Sequence, residues 1–236
     1  LTVGLLVYGF ARSGDARRAT AGVVGCVGEP LSAVAHEGLA AIVGEVEHAP
    51  GARLEVLRAF QTAVTALHER AALVPARFGS IGEADEVRRV MAGRDTHLHA
   101  TLDLIEGCEE WSVRVRGQAR GEATGDEPAV LAPAGEVQAG RAYLRRRKEA
   151  FDHADGVSPE LVELCRGALR ELVGLARATR LEGANGTVGM PGVHLLVPRD
   201  ERGEVGRVFG EALRAMGGRA LLTGPWPAYS FVDATA

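Results

Sequence analysis

Apolar residues along this chain change their spacing several times, and each change marks an element. Residues 2–10 form a nearly unbroken apolar run of strand length, and the polar Arg12-Ser-Gly-Asp15 that follows predicts a turn. Residues 23–27 and Leu31–His36 predict two short strands around Gly28-Glu29-Pro30, and Leu39–Val46 predicts another. From Arg53 the period lengthens. Leu54, Leu57, Phe60, Val64 and Leu67 return every three or four positions, which predicts an amphipathic helix ending near Arg70 and covering one face of the small sheet. Residues 73–78 are apolar apart from Arg77, and Gly79 and Gly82 interrupt the chain before helices over 83–91 and 94–105.

Past Gly107, Trp111-Ser-Val-Arg-Val-Arg116 alternates apolar with polar, the period of a strand buried on one side. Residues 117–138 are rich in Gly, Ala, Pro, Glu and Asp with little periodicity, and read as a linker or excursion. A helix beginning near Gln138 carries Tyr143 and Leu144, and another opens at Ser158-Pro159, a serine N-cap followed by proline at the first helical position. Leu161, Leu164, Cys165, Leu169, Leu172 and Leu175 share one face of it. Strands at 178–181 and 193–197, a helix at 204–216 and a strand at 219–222 complete the chain. With the strand at 109–116 this half reads β-α-β-β-α-β, the split pattern of ferredoxin-like folds. The expectation is an α+β protein of two lobes. Residues 1–108 form a small sheet covered by helices; 109–236 form a ferredoxin-like lobe with an aromatic tail at 223–236.

Composition narrows the function classes. A chain of 236 residues buries roughly 70% of its extended surface, enough for one large core or two smaller ones. The net charge of −4 gives no basic excess for phosphate backbones, so a nucleic-acid partner is not expected. Apolar residues reach 46%, yet no run approaches the roughly 20 residues that span a bilayer. The chain opens in a strand-like run rather than a charged leader, and a cytoplasmic protein without membrane contact is the expectation. Cys26, Cys108 and Cys165 are widely spaced and read as free core thiols.

Catalytic patterns are sparse. The chain has neither a G-x-G-x-x-G fingerprint nor a phosphate loop, and no serine lies in a G-x-S-x-G context. His97 and His99 are two apart, which points them away from each other on a helix. Glu109-Glu110 has no evident acid partner. The sequence thus supports neither an enzyme, a cofactor nor a metal. What stands out instead is Leu222-Thr-Gly-Pro-Trp-Pro-Ala-Tyr-Ser-Phe-Val232, where two prolines frame Trp226 and Tyr229 and Phe231 follow closely, a packing or docking device.

That tail resembles the C-terminus of the gas vesicle protein F/L family. The resemblance extends to Val7-Tyr8-Gly9, Leu73-Val-Pro-Ala-Arg-Phe-Gly79, Glu110-Trp-Ser-Val-Arg-Val115 and Gly140-Arg-Ala-Tyr-Leu144, in order along most of the chain. The tail and the Pro-Ala-Arg-Phe-Gly segment are its specific parts. It implies a noncatalytic accessory or minor structural protein of gas vesicle assembly, located at the vesicle or in the cytoplasm. Its implied partners are the major gas vesicle shell protein and other accessory proteins. A subunit with a gas-facing apolar surface associates prematurely in water, which is the physical reason for such a helper.

Tyr8, Arg77, Phe78, Arg145, Arg146, Arg147, Trp226, Tyr229 and Phe231 are the partner-contact candidates. The run at 145–148 is either a solvated helix face, a site for an acidic protein or a phosphate contact. Arg77 reads as an arginine tying two elements or as a partner contact, and Trp226 as core or docking ring. The other functional class in view is a general chaperone-like or regulatory binding module.

Overall fold

Two antiparallel sheets, one from each half of the chain, carry the structure, a computed structural model that describes residues 4–115, 167, 169–182, 192–218 and 220–232. The first half runs β1 (Gly4–Arg12), α1 (Ser13–Thr20), β2 (Leu31–His36), β3 (Leu39–Val46), α2 (Leu54–Arg70), β4 (Val74–Pro75) and β5 (Ile81–Gly82). Helices α3 (Ala84–Gly93) and α4 (Asp95–Ile105) follow. The second half comprises β6 (Cys108–Val115), α5 (Arg170–Leu175), β7 (Ala178–Glu182), β8 (Gly192–Pro198), α6 (Arg202–Ala215) and β9 (Ala220–Trp226), then a short 3-10 turn at Tyr229–Phe231. The predicted linker at 117–138, the basic run at 145–148, the helix starts near 138 and 158, and Cys165 lie outside the described residues.

The strand orders are β2-β3-β1-β4, with β5 also on β1, and β7-β8-β6-β9. Numbered within its own half, each sheet therefore runs second, third, first, fourth, with every pairing antiparallel. This is an α+β fold of two sheet-and-helix lobes.

Each sheet is covered on both faces. On one side of the first sheet, Leu6, Tyr8 and Ile42 pack against Val56, Phe60, Val64 and Leu67 of α2. On its other side, Val7, Leu39, Ala41 and Val43 meet Val87 and Met91 of α3 and Leu98, Leu102 and Ile105 of α4. That second core continues into the other half through Cys108, Leu196 and Ala228, so it draws on residues from both sides of position 108. A third core fills the far face of the second sheet, where Val113, Leu195 and Val197 pack against Leu172 of α5 and Val205 and Val208 of α6.

The register of β1 makes this double-sided burial possible. Val7 pairs with Val43 but Gly9 pairs with Ile42, so Tyr8 is the extra residue of a bulge. An extra residue reverses the alternation of faces: Leu5 and Val7 belong to the second core, and past the bulge so does Phe10.

Two local expectations are corrected. Residues 13–20 are a helix and not a turn, because Ala16 and Ala19 bury one face beside the sheet. Residues 23–27 make only the single bridge Val24↔Pro30, because this stretch folds around Glu29 instead of pairing along its length. The final strand also runs to Trp226, so the tail proper begins after it. Among the described residues no helix is long and apolar enough to cross a membrane.

Arginines from the second half fasten the halves together at helix ends. Arg199 donates to the carbonyls of His68 at 2.5 Å and Glu69 at 3.3 Å, at the C-terminus of α2. Arg177 donates to Leu104 O at 2.9 Å and Glu106 O at 2.7 Å, at the C-terminus of α4. Terminal helix carbonyls have no intrahelical donors and carry partial negative charge, so a guanidinium there satisfies both needs.

His68 sits at this junction, buried, and among the described residues neither ring nitrogen has a hydrogen-bond partner. Burial, aided by the Arg199 charge, pushes its pKa down from 6.5 to about 4. An unfolded chain therefore takes up a proton that the folded chain refuses. Stability associated with His68 is complete above pH 6.5 and falls as the pH drops towards about 4, with a total loss on the order of 3 kcal/mol. Urea denaturation of wild type and His68→Leu between pH 7.5 and 4 checks this: the wild type should lose more stability on acidification than the variant.

Candidate functional site

The 74–82 segment leaves the sheet edge and turns back to it, and this places a groove beside it. Ala76 N donates to Tyr8 O at 3.0 Å and Val7 N donates to Ser80 O at 2.8 Å, so the segment's ends are bonded to β1 while Arg77, Phe78 and Gly79 bulge between them. Gly79 takes φ +85, a left-handed conformation that a side chain disfavours. Phe78 packs edge-on against Phe60 of α2, with ring centres 5.3 Å apart, and Phe60 stacks on Tyr8 at 4.8 Å.

The groove has a volume of about 670 Å³. Its walls come from Leu57 and Gln61 of α2, the 74–82 segment, Val87 and Val90 of α3, His97 and Leu98 of α4, and Tyr229 and Val232 of the tail. It opens where the first and second cores reach the surface, so its lining is mainly apolar: Leu57 remains 37% and Val90 42% exposed. Arg77, Glu86, Arg94 and His97 supply the charged and ionisable positions.

The tail reaches the groove because the second sheet holds it there. Glu110, buried on β6, accepts from Ser230 N at 2.7 Å and from Ser230 Oγ at 2.7 Å, and lies 3.1 Å from His194 Nδ1. Arg180 of β7 donates to Ser230 O. All three polar groups of Ser230 are thereby engaged. Gly224, at φ +136, lets β9 approach β6 closely, since a Cβ there would lie 2.8 Å from Glu110 O. Ala228 is fully buried, Phe231 packs onto the second core, and Tyr229 projects to donate to Gln61 Oε1 at 3.0 Å. Burial pushes the Tyr229 phenol up to about 12, so it stays a donor.

The sequence candidates separate into distinct places. Arg77, Phe78 and Tyr229 line one groove. Phe231 packs on the second core and is not among the groove's lining residues. Trp226 is 41% exposed at the end of β9 and is not among the groove's lining residues. Tyr8 is corrected from a partner contact to a core residue: it is completely buried, donates to Glu29 Oε1 at 2.5 Å and accepts from Cys26 N at 2.7 Å. Burial, together with these bonds, raises its phenol far above the ordinary value, so it remains protonated. Arg145, Arg146 and Arg147 lie outside the described residues.

Sequence reasoning missed the paired glutamates. Glu109 and Glu110 point to opposite faces of β6, and both are buried. Glu109 receives Arg202 Nε at 3.0 Å and Trp111 Nε1 at 3.0 Å on the α6 side. Two adjacent acids in a strand otherwise rich in apolar residues were the available signal, because a buried carboxylate requires committed donors. Glu110 with Ser112 and His194 is no catalytic triad: Ser112 Oγ, at 2.8 Å, and Glu110 Oε1 both approach Nδ1 of the imidazole. A triad needs the acid and the serine on opposite ring nitrogens.

These features define a two-lobed α+β protein with an apolar groove built jointly by the first lobe and the C-terminal tail. The family model for gas vesicle synthesis protein GvpL/GvpF matches residues 4–233. Gas vesicle protein L of Streptomyces sp. (strain CB03234) is 33% identical over 232 residues, covering 89% of this chain and 86% of that protein. Crystal structures of the gas vesicle protein GvpF share the fold. The Microcystis aeruginosa protein gives a TM-score of 0.72 at 16% identity, covering 98% of this chain and 100% of that one. The Anabaena sp. PCC7120 protein gives 0.70 at 15%, covering 100% and 98%. The chain belongs to the GvpL/GvpF family of gas vesicle synthesis proteins.

Replacing Glu110 with Gln turns an acceptor-only carboxylate into an amide and weakens the hold on Ser230. The expected cost is about 1–3 kcal/mol. Hydrogen exchange resolved by residue checks it: amides at 229–232 should lose protection in Glu110→Gln before those of β1 and β3.

Proposed function

We propose that this protein is a noncatalytic accessory or minor structural protein of gas vesicle assembly that binds the hydrophobic shell protein through the groove between α2, α3, the 74–82 segment and the tail. Family membership supports the assembly role. The observation that carries the binding site is the meeting of the two most family-like segments: Arg77 and Phe78 of one and Tyr229 of the other line the same cavity. Exposed apolar groups in a concave setting are suited to an apolar partner segment, whose transfer from water is the driving force. Other accessory proteins of the vesicle are the remaining candidate partners for the exposed ring of Trp226.

The lobes divide near residue 108 in this reading, and the second is of ferredoxin-like type, a reading supported by its strand order β7-β8-β6-β9. Action at the vesicle and in the cytoplasm follows from the proposed partner. A general chaperone-like module is the competing function, and it differs by binding unrelated apolar clients equally well.

Leu57→Glu and Val90→Glu place charge on opposite walls of the groove at half-exposed positions, where neither substitution disturbs a buried core. Titration against the freshly solubilised shell protein of the same organism, with an unrelated apolar protein as control, should show selective binding by the wild type. Each variant should weaken it at least about tenfold, the effect of a charge in a desolvated contact, with little change in the thermal midpoint. Equal binding by both variants would place the contact elsewhere. Equal binding of the control protein would favour the chaperone-like function.

A further inference from the structure

The groove is apolar inside but carries cationic groups at its lining. Arg77 is exposed on the bulge between β4 and β5, and Arg94 stands between α3 and α4 with His97 one turn further along. Among the described residues neither arginine makes an ion pair or a side-chain hydrogen bond. Arg12 pairs with Asp103 and Glu106, Arg18 with Asp15, Arg53 with Glu55 and Arg88 with Asp85, and Arg70 donates to helix-end carbonyls; Arg17, Arg58 and Arg89 share with Arg77 and Arg94 the lack of such a partner among the described residues, but only Arg77 and Arg94 line the groove. The acid that does line the groove is Glu86, packed over Gly82, where its carboxylate oxygen stands 2.9 Å from the place a Cβ would occupy. The lining is therefore positive in balance, although the chain as a whole carries −4.

Backbone geometry limits the form of the partner. At the groove, a strand could add only along the β4–β5 edge, and there Pro75 has no N–H to offer. Val7 N and Ala76 N are already bonded within the lobe. A helix brings its own backbone bonds and needs only side-chain pockets, which this groove supplies between two helices and a loop.

Resting on the groove as the shell-protein site proposed above, we infer that it recognises an amphipathic helix whose apolar face fills the cavity and whose flanking carboxylate pairs with Arg77 and Arg94. Guanidinium groups hold carboxylates in planar two-point contacts, so the pair fixes the orientation of the helix while the apolar walls supply most of the affinity. Glu86 opposes the same carboxylate and selects against a helix with acids on that side.

The test is titration of the full-length protein with the solubilised shell protein over a salt series. Arg77→Glu with Arg94→Glu should weaken binding at least about tenfold at low ionic strength, with the difference shrinking as salt screens the charges. Arg77→Lys with Arg94→Lys should keep most of the affinity. Glu86→Gln should tighten binding about two- to threefold by removing the like charge, a gain that a merely structural role for these residues does not produce. Neutralising the shell protein's acidic residues one at a time should find one whose loss is not additive with the loss of the arginines.

If the double reversal unfolds the protein, Arg77→Ala on its exposed loop provides the same reading. Unchanged affinity and salt dependence in the arginine variants, with Leu57→Glu and Val90→Glu still impaired, overturns the charge pairing and leaves the groove standing. If the Leu57 and Val90 variants also bind as wild type, the groove itself is not the site.

Discussion

Both sheets of this protein must be covered on two faces, and the layer between them is the constraint on which the rest depends. Val7, Leu39, Ala41 and Val43 from the first sheet and Cys108 and Leu196 from the second contribute to one core, filled by α3, α4 and Ala228 of the tail. Removing apolar surface from water is favourable wherever it occurs, but a shared layer makes each half a cover for the other. The arginine contacts at the ends of α2 and α4 then fix how the halves meet, by satisfying carbonyls that have no donors of their own.

The groove is a consequence of that layer's boundary. Where the first sheet ends at β4 and β5, the strands are only two residues each, and the chain between them cannot cover the cores beneath. The tail closes part of the gap, because Ser230 is held by a carboxylate and a guanidinium from the second sheet. What remains is an apolar recess with charged groups at its lining. A binding role is physically natural at such a place, since the walls are already positioned by packing and little ordering is needed when a partner enters.

Among the described residues, three buried carboxylates each have a structural task. Glu29 draws residues 21–30 inward by accepting from Tyr8 and from Val27 N, and the absence of a side chain at Gly25 and Gly44 leaves room for its carboxylate. Glu109 ties α6 to its sheet through Arg202, and Glu110 ties down the tail. Carboxylates in such settings resist displacement because leaving one unpaired costs more than the pair contributes.

Much of the element order was legible in the residues alone. Leu39–Val46 and α2 followed from their apolar spacing, because period two and period 3.6 are local properties of a chain that buries one face. Tail and Pro-Ala-Arg-Phe-Gly segment were legible as unusual, and their likeness to the gas vesicle family was readable in order along the chain. Their meeting in one groove was not, because Phe78 and Tyr229 lie 151 positions apart and no local rule relates them. Tyr8 shows the same limit: its resemblance to a family segment suggested a contact, while alternation with Leu6 along β1 puts it in the first core under α2. Sequence by itself determined most of the described elements, the α+β class and the family, since these rest on local spacing and ordered motifs, but not the helix at 13–20 or the fold of 23–27 around Glu29. Tertiary structure alone decided which side chains share a cavity, which acids are buried and which arginines line the groove, because those depend on the packing of one sheet against another.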